Sequence, residues 1–331
     1  MAGRRRKKSG GRSYAWRYRG RIVACVFVEV IIICALVIMI GWNKGVKEWF
    51  EQFEQPVLKE VDIIGINSPN AILMQARGGK ILGEINGEAQ IYPASMTKIM
   101  TVILGIENFD DLDEKITLTN EMFSGLYEQD ATQAGFQPGE EVRVIDLLYG
   151  AMLPSGAECC IALADTISGS EADFAELMNK KARKLGMENT HFCDSTGLHN
   201  PDHYSTVKDI AVLMKYCIKN DTFREIVETS RHSTGVTNIH PDGITYYSTM
   251  FKNLSDPTVT GGKILGGKTG YTSEAGHCLV SFAEIEGREY IFVSAGASGA
   301  DGNTIPHIQD AVTVYNRVGA AVEAKMNDNN K

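Results

Sequence analysis

Tyr92-Pro93-Ala94-Ser95-Met96-Thr97-Lys98-Ile99-Met100-Thr101 decides the reading of this chain. Pro93 and the small residues after it suit a turn into a helix start, and Ile99 to Ile106 is apolar enough to be a buried helix. Ser95 and Lys98 stand three residues apart, so one helical turn puts both side chains on the same face. A serine hydroxyl needs an adjacent base to become a nucleophile. A lysine held among apolar neighbours loses part of its preference for the charged form and can be that base. Unpaired N–H groups at the helix start can receive a developing oxyanion. The spacing by itself is common: Ser205-Thr206-Val207-Lys208 repeats it on an ordinary amphipathic pattern and reads as a helix cap with a solvated lysine.

Moving toward the N-terminus, the net charge of −8 over 331 residues conceals an asymmetry. Residues 1–21 hold nine Arg or Lys and no acid, which leaves 24 basic against 41 acidic residues, or −17, for the rest. Ile22 to Ile40 is apolar apart from Glu29, long enough to cross a bilayer as a helix. The basic flank then orients it with the arm in the cytoplasm. The organisation expected is a basic cytoplasmic arm (1–21), an uncleaved transmembrane signal-anchor (22–41) and an amphipathic stalk (42–56) carrying Val46, Trp49, Phe50 and Phe53. An extracytoplasmic catalytic domain (57–325) and a polar tail (326–331) follow. The arm reads as a topology signal and lipid contact, not as a nucleic-acid site. Five cysteines outside the apolar run, an odd number without paired spacing, give no disulfide framework. His199 and His203 flank Pro201, which breaks the helix that would align them on a metal, so no metal and no cofactor is expected.

Beyond the apolar run, Val61 to Ile66, Ala71 to Ala76 and Ile81 to Ile85 read as strands, and Glu107 to about Ile218 as mostly helical. Helices are expected at Val142 to Pro154, Glu158 to Ser168 and Glu171 to Leu185. Strands return at Ile244 to Met250, Cys278 to Ile285 and Glu289 to Gly296, and Pro306 to Ala324 closes as a helix. Strands at both ends around a helical block make an α+β domain whose ends share one sheet. Within this frame Ser155-Gly156-Ala157 follows a helix end, so a loop can present the Ser155 hydroxyl. Lys268-Thr269-Gly270 falls between a glycine-rich turn and a strand. Lys268 with the hydroxyls of Thr269 and Thr272 can bind a carboxylate, and Gly270 lets a substrate backbone come close.

Taken in order, Ser95-x-x-Lys98, Ser155-Gly156-Ala157 and Lys268-Thr269-Gly270 resemble the D-alanyl-D-alanine carboxypeptidase family of low-molecular-mass penicillin-binding proteins. The longer segments carry the same resemblance: Tyr92 to Thr101, Met152-Leu153-Pro154-Ser155-Gly156, Gly197-Leu198 with His203-Tyr204-Ser205-Thr206, and Gly267-Lys268-Thr269-Gly270-Tyr271-Thr272. It implies a serine β-lactamase/DD-peptidase-like fold: an antiparallel sheet flanked by helices, with a mostly helical subdomain. It also implies acylation of Ser95 by stem peptides ending in D-Ala-D-Ala, and by β-lactams. Lys98 would be the base, Ser155 the proton relay and Lys268 its electrostatic support. Thr269 and Thr272 would hold the terminal carboxylate, with Lys252 a further candidate, and the N–H groups of Ser95 and Tyr271 would form the oxyanion hole.

The chain departs from the family pattern at Ala157, where Asn is usual; the missing amide is expected to cost rate, not fold. Many members carry a β-rich C-terminal domain and a C-terminal membrane helix. Only 61 residues follow Gly270 here, enough to finish the catalytic domain, and the N-terminal segment is expected to supply attachment. Three alternative readings compete with this one. Gly262 to Thr269 matches the phosphate-loop pattern, but a strand instead of a helix is expected after it. A β-lactamase would need a Glu-activated water, and no convincing Glu-x-x-Leu-Asn segment lies between Ser155 and Lys268. A non-catalytic wall-binding or β-lactam-sensing protein is prompted by Ala157.

Overall fold

The computed structural model describes residues 58–254, 256–299 and 305–329. The expected cytoplasmic arm, transmembrane helix and stalk lie outside these residues. Among the described residues, no helix is long and apolar enough to cross a membrane.

Ten strands and eight α-helices are described. The strands are β1 (Asn70–Gln75), β2 (Ile81–Ile85), β3 (Lys115–Thr117), β4 (Glu141–Arg143), β5 (Arg231–Ser233), β6 (Thr245–Tyr247), β7 (Thr258–Val259), β8 (Gly262–Thr272), β9 (Gly276–Ile285) and β10 (Arg288–Ala297). The helices are α1 (Lys98–Asn108), α2 (Val144–Met152), α3 (Ala157–Ser168), α4 (Glu171–Leu185), α5 (Val207–Cys217), α6 (Asp221–Glu228), α7 (Thr249–Asn253) and α8 (Pro306–Asn329). Six strands form one antiparallel sheet in the order β2-β1-β10-β9-β8-β7. The N-terminal hairpin therefore joins the C-terminal strands, as the α+β reading requires.

Strand periodicity explains why the sheet has helices on both faces. In β1, Ile72 and Met74 belong to one apolar core and Ala71 and Leu73 to another; Ile291 and Val293 against Tyr290 and Phe292 repeat this in β10. The first core holds α1 to α6, the helical subdomain. The second is closed by α8, whose Val314, Tyr315, Val318 and Val322 are buried. Helix α1 lies inside the first core, with every residue from Lys98 to Gly105 buried.

Four local expectations are corrected. Val61 to Ile66 is not a strand: the Asp62 carboxylate takes the Ile64 N–H at 2.8 Å and Gly65 sits at φ +82, so the chain turns. The strand expected over Ile244 to Met250 stops at Tyr247, because Ser248 caps α7. The closing helix runs on to Asn329, past Ala324 and through part of the expected tail. The glycine-rich turn before Lys268 is strand β8. Its glycines serve close approach: a Cβ on Gly266 would lie 2.4 Å from the Val227 carbonyl oxygen, and one on Gly267 2.4 Å from that of Val280. Lys268 thus stands inside a strand, with strand β9 following, which removes the helix that a phosphate loop needs.

Candidate active site

The nucleophile candidate sits in a constrained turn. Ala94 to Thr97 forms a 3₁₀ turn leading into α1, and Ala94 holds a left-handed φ of +47. Ser155 is also left-handed at φ +74. Non-glycine residues in this region cost on the order of 1–3 kcal/mol each and persist only where packing over-determines them. At Ala94 the packing is visible: Gly197, at φ +80, lies so close that a Cβ there would stand 1.9 Å from the Ala94 carbonyl oxygen.

These constraints bring the three motifs into one hydrogen-bonded row. Lys268 Nζ donates to Ser155 Oγ at 2.9 Å, and Ser155 Oγ donates to Ser95 Oγ at 3.0 Å. Lys98 Nζ lies 3.0 Å from Ser95 Oγ and donates to the Thr196 carbonyl at 2.6 Å. Both lysines are buried, 3% and 1% exposed, so neither can be stabilised by bulk water. Burial lowers the Lys98 pKa from its ordinary value, and the carboxylates of Asp194 and Glu158 oppose that shift. Burial and the nearby Lys98 charge lower Lys268 further, well below the usual lysine range. A neutral Lys98 can accept the Ser95 proton, which reverses the direction of that hydrogen bond.

Strand β8 forms the facing wall. A Cβ on Gly270 would lie 3.0 Å from Ser95 N, so glycine lets this strand approach the Ser95 N–H without pushing the turn back. The Thr269 and Thr249 hydroxyls are 2.7 Å apart, and Thr249 N donates to the Leu153 carbonyl at 3.1 Å. Helix α7 thereby ties the third motif to the loop that presents Ser155. A cleft of about 630 Å³ opens over this row, lined among others by Ser95, Ser155, Thr269, Gly270, Tyr271 and Thr272. Its size suits a short peptide or drug-sized molecule.

Not every candidate joins the site. Lys252 is exposed on α7, and it is Thr249 and Asn253 of that helix, not Lys252, that line the cleft. Ala157 is buried at the first turn of α3, its N–H donating to the Thr132 carbonyl at 2.8 Å. In the second Ser-x-x-Lys, Thr206 and not Ser205 caps α5, its hydroxyl accepting from Asp209 N at 3.0 Å. Ser205 is buried against Thr190, and Lys208 pairs with Glu88 at the surface. His203 faces Asp194 and Thr97, whereas His199 packs edge-on to Tyr92, so the two histidines do not converge.

Sequence reasoning missed several cleft residues. His277 and His307 stack with ring centroids 5.0 Å apart, and Tyr271 leans on His277 at 4.7 Å. Burial and the neighbouring His277 push His307 down to about 4, and its Nδ1 is buried without a hydrogen-bond partner. Asp194, Thr196 and Thr249 were missed as well. Only the Gly197-Leu198 signal beside Thr196 pointed to that loop.

A nucleophile, a buried amine beside it and a second hydroxyl linked to another buried amine make an acyl-transfer constellation. Comparisons with known proteins show the family and the fold. The family model described as D-alanyl-D-alanine carboxypeptidase matches residues 57–299. D-alanyl-D-alanine carboxypeptidase DacF of Bacillus subtilis is 34% identical over 242 residues, covering 72% of this chain and 60% of its own length. A D-alanyl-D-alanine carboxypeptidase of Streptomyces sp. is 37% identical over 205 residues, covering 60% of this chain and 69% of that protein. The crystal structure of a Streptomyces DD-transpeptidase superposes with a TM-score of 0.68 at 29% identity, over 77% of this chain and 98% of that one. A Mycobacterium tuberculosis D-alanyl-D-alanine carboxypeptidase shares the fold, with a TM-score of 0.69 at 22% identity, over 80% of this chain and 96% of that one. The chain spans about 60% of the length of the B. subtilis relative and 56% of DacC from Escherichia coli. From the motif row, the mixed fold and these likenesses together, the chain belongs to the D-alanyl-D-alanine carboxypeptidase family of serine peptidases.

Proposed function

We propose that this protein is a serine-type D-Ala-D-Ala carboxypeptidase that removes the terminal D-alanine from peptidoglycan stem peptides and is acylated by β-lactams at the same serine. The observation that carries the reading is the row Lys268–Ser155–Ser95–Lys98, in which each neighbour is within 3.0 Å. In this mechanism neutral Lys98 takes the Ser95 proton as Oγ attacks the carbonyl carbon of the penultimate D-alanine. The oxyanion forms against the N–H groups of Ser95 and Tyr271, where Gly270 leaves room. Ser155, held by the Lys268 amine, passes a proton to the leaving nitrogen and D-alanine departs. Water then cleaves the Ser95 ester. Thr269, oriented by Thr249, and Thr272 serve the terminal carboxylate.

Ala157 lowers the rate without abolishing it, since the groups with direct chemical roles are present. A positioning hydrogen bond is worth about 0.5–1.5 kcal/mol net, so the lost amide costs roughly tenfold or less. The test is D-alanine release from a pentapeptide ending in D-Ala-D-Ala, with measurable turnover expected. Acylation by penicillin without any release would favour the β-lactam-sensing reading that Ala157 prompts.

The same proposal includes attachment: residues 22–41 anchor the chain by a single pass, with 1–21 in the cytoplasm and the catalytic domain outside a bacterial cell. The apolar run, the nine basic residues before it and the acidic remainder support this. A chain starting at Val57 is expected to fractionate without detergent while the full chain pellets with membranes. Pelleting of both would place the attachment elsewhere.

A further inference from the structure

One segment packed beside the motif row has no role in the mechanism above. Residues 193–198 form a loop whose polar groups are almost all engaged. Asp194 Oδ1 accepts from Thr196 N at 2.7 Å, Thr196 Oγ1 at 2.8 Å and Gly197 N at 2.6 Å. Asp194 Oδ2 lies 3.0 Å from His203 Nδ1, and His203 Nε2 lies 2.9 Å from Thr97 Oγ1, in the turn between Ser95 and Lys98. Behind the loop, Thr101 Oγ1 donates to the Ser195 carbonyl at 2.6 Å, and Ser195 N and Oγ donate to Glu171 at 3.1 and 2.6 Å. The Asp194 bonds hold the peptide between Thr196 and Gly197, the others seat the flanking Ser195 and the nucleophile turn, and the Thr196 carbonyl accepts from Lys98 Nζ at 2.6 Å.

The consequence follows from the valence of a neutral amine, which has two N–H bonds and one lone pair. To act as a base, Lys98 must point the lone pair at Ser95 Oγ. A fixed acceptor that claims one N–H restricts the rotation of the amine and makes that orientation the favoured one. The Thr196 carbonyl stands where a histidine base would have its orienting carboxylate on the far nitrogen. A buried donor–acceptor pair of this kind is costly to misplace.

We propose that Asp194 and His203 form a positioning pair for the Lys98 base, holding the Thr196 carbonyl on its amine and placing one negative charge behind it. The pair acts through Lys98 and touches no substrate. This rests on the serine acyl-transfer reading. The charge has a definite sign of effect. Burial would raise the Asp194 carboxyl, but the His203 contact and three donors bring it down to about 2, so it is anionic throughout the working range. Its charge favours protonated Lys98, as does Glu158 from α3, while burial opposes this; burial pushes the Cys159 and Cys160 thiols of the same helix up, so they stay neutral. Lys268 on β8, His203 beside Thr97, and Glu171 and Cys193 flanking Asp194 complete the titratable surroundings.

The test measures acylation of the full chain in detergent by a fluorescent penicillin from pH 5 to 9. In Asp194→Asn the plateau rate is expected to fall roughly 10- to 100-fold, as for a misplaced catalytic group. Its acidic limb moves to lower pH by about half to one unit, because removing the anion makes Lys98 easier to deprotonate. Asp194→Glu keeps the charge but displaces the contacts, so its plateau falls and its limb stays. A limb that does not move in Asp194→Asn, or moves equally in both, overturns the electrostatic part. If Asp194→Asn yields no folded protein, Thr97→Val breaks only the far end of the brace. It is expected to slow the acylation step at least fivefold with unchanged penicillin affinity, and a rate within twofold of the natural protein overturns the pair. Absence of acylation in the natural protein would instead refute the acyl-transfer reading on which the pair depends.

Discussion

Replacing Lys98 by methionine is expected to reduce penicillin acylation of Ser95 by about 10²–10⁴-fold, the range of a well-placed general base. Methionine matches the length of the lysine stem and fills a site that is 3% exposed. The fold is expected to survive, since a buried polar amine is replaced by an apolar group of similar length. The pH profile separates this from a packing defect. In the natural protein acylation falls as pH drops through the depressed Lys98 pKa, because the protonated amine cannot accept the serine proton. In Lys98→Met the residual rate no longer follows that limb. A variant acylated within tenfold of the natural protein, on the same limb, would assign the base elsewhere, with Lys268 through Ser155 the alternative.

Gly197→Ala is expected to damage both stability and acylation. Two effects add. A left-handed backbone costs an L-residue on the order of 1–2 kcal/mol, and Gly197 sits at φ +80. The new methyl would also stand 1.9 Å from the Ala94 carbonyl oxygen and 2.8 Å from Thr97 Oγ1, so the turn carrying Ser95 must shift. The conformational part alone lowers Tm by about 2–8 °C for a domain of this size. The displacement misaligns Ser95 and Lys98 and lowers acylation by about 10²-fold or more. Thermal unfolding and acylation rate measured on one preparation check both. Unchanged values in both would mean that the loop 193–198 is not seated against the nucleophile turn.

How much of this was legible in the sequence depends on whether a feature is local. Ser95 and Lys98 are one helical turn apart, so their meeting follows from helix geometry. The alternation Ile72/Met74 against Ala71/Leu73 likewise announces a strand buried on both faces. Ser155 and Lys268 come from distant segments, and only the resemblance of their motifs to a family put them beside Ser95. The misreading before Lys268 has a definite cause. Gly266 and Gly267 read as turn residues in the sequence, while their lack of a side chain is used to bring β8 against Val227 and Val280. Sequence patterns do not distinguish a glycine that bends the chain from one that lets another chain segment near. The Thr196 carbonyl, the Asp194–His203 contact and the His277–His307 stack were invisible for a further reason: a backbone acceptor has no residue signature, and the partners lie 9 to 98 positions apart in sequence.

The central claim is that Ser95 is the acylated nucleophile, and peptide mapping after benzylpenicillin treatment of the full chain tests it most directly. The account predicts a single penicilloyl adduct on the tryptic peptide holding Ser95, absent in Ser95→Ala. An adduct on the Ser205 peptide, or none on a folded protein, would contradict it.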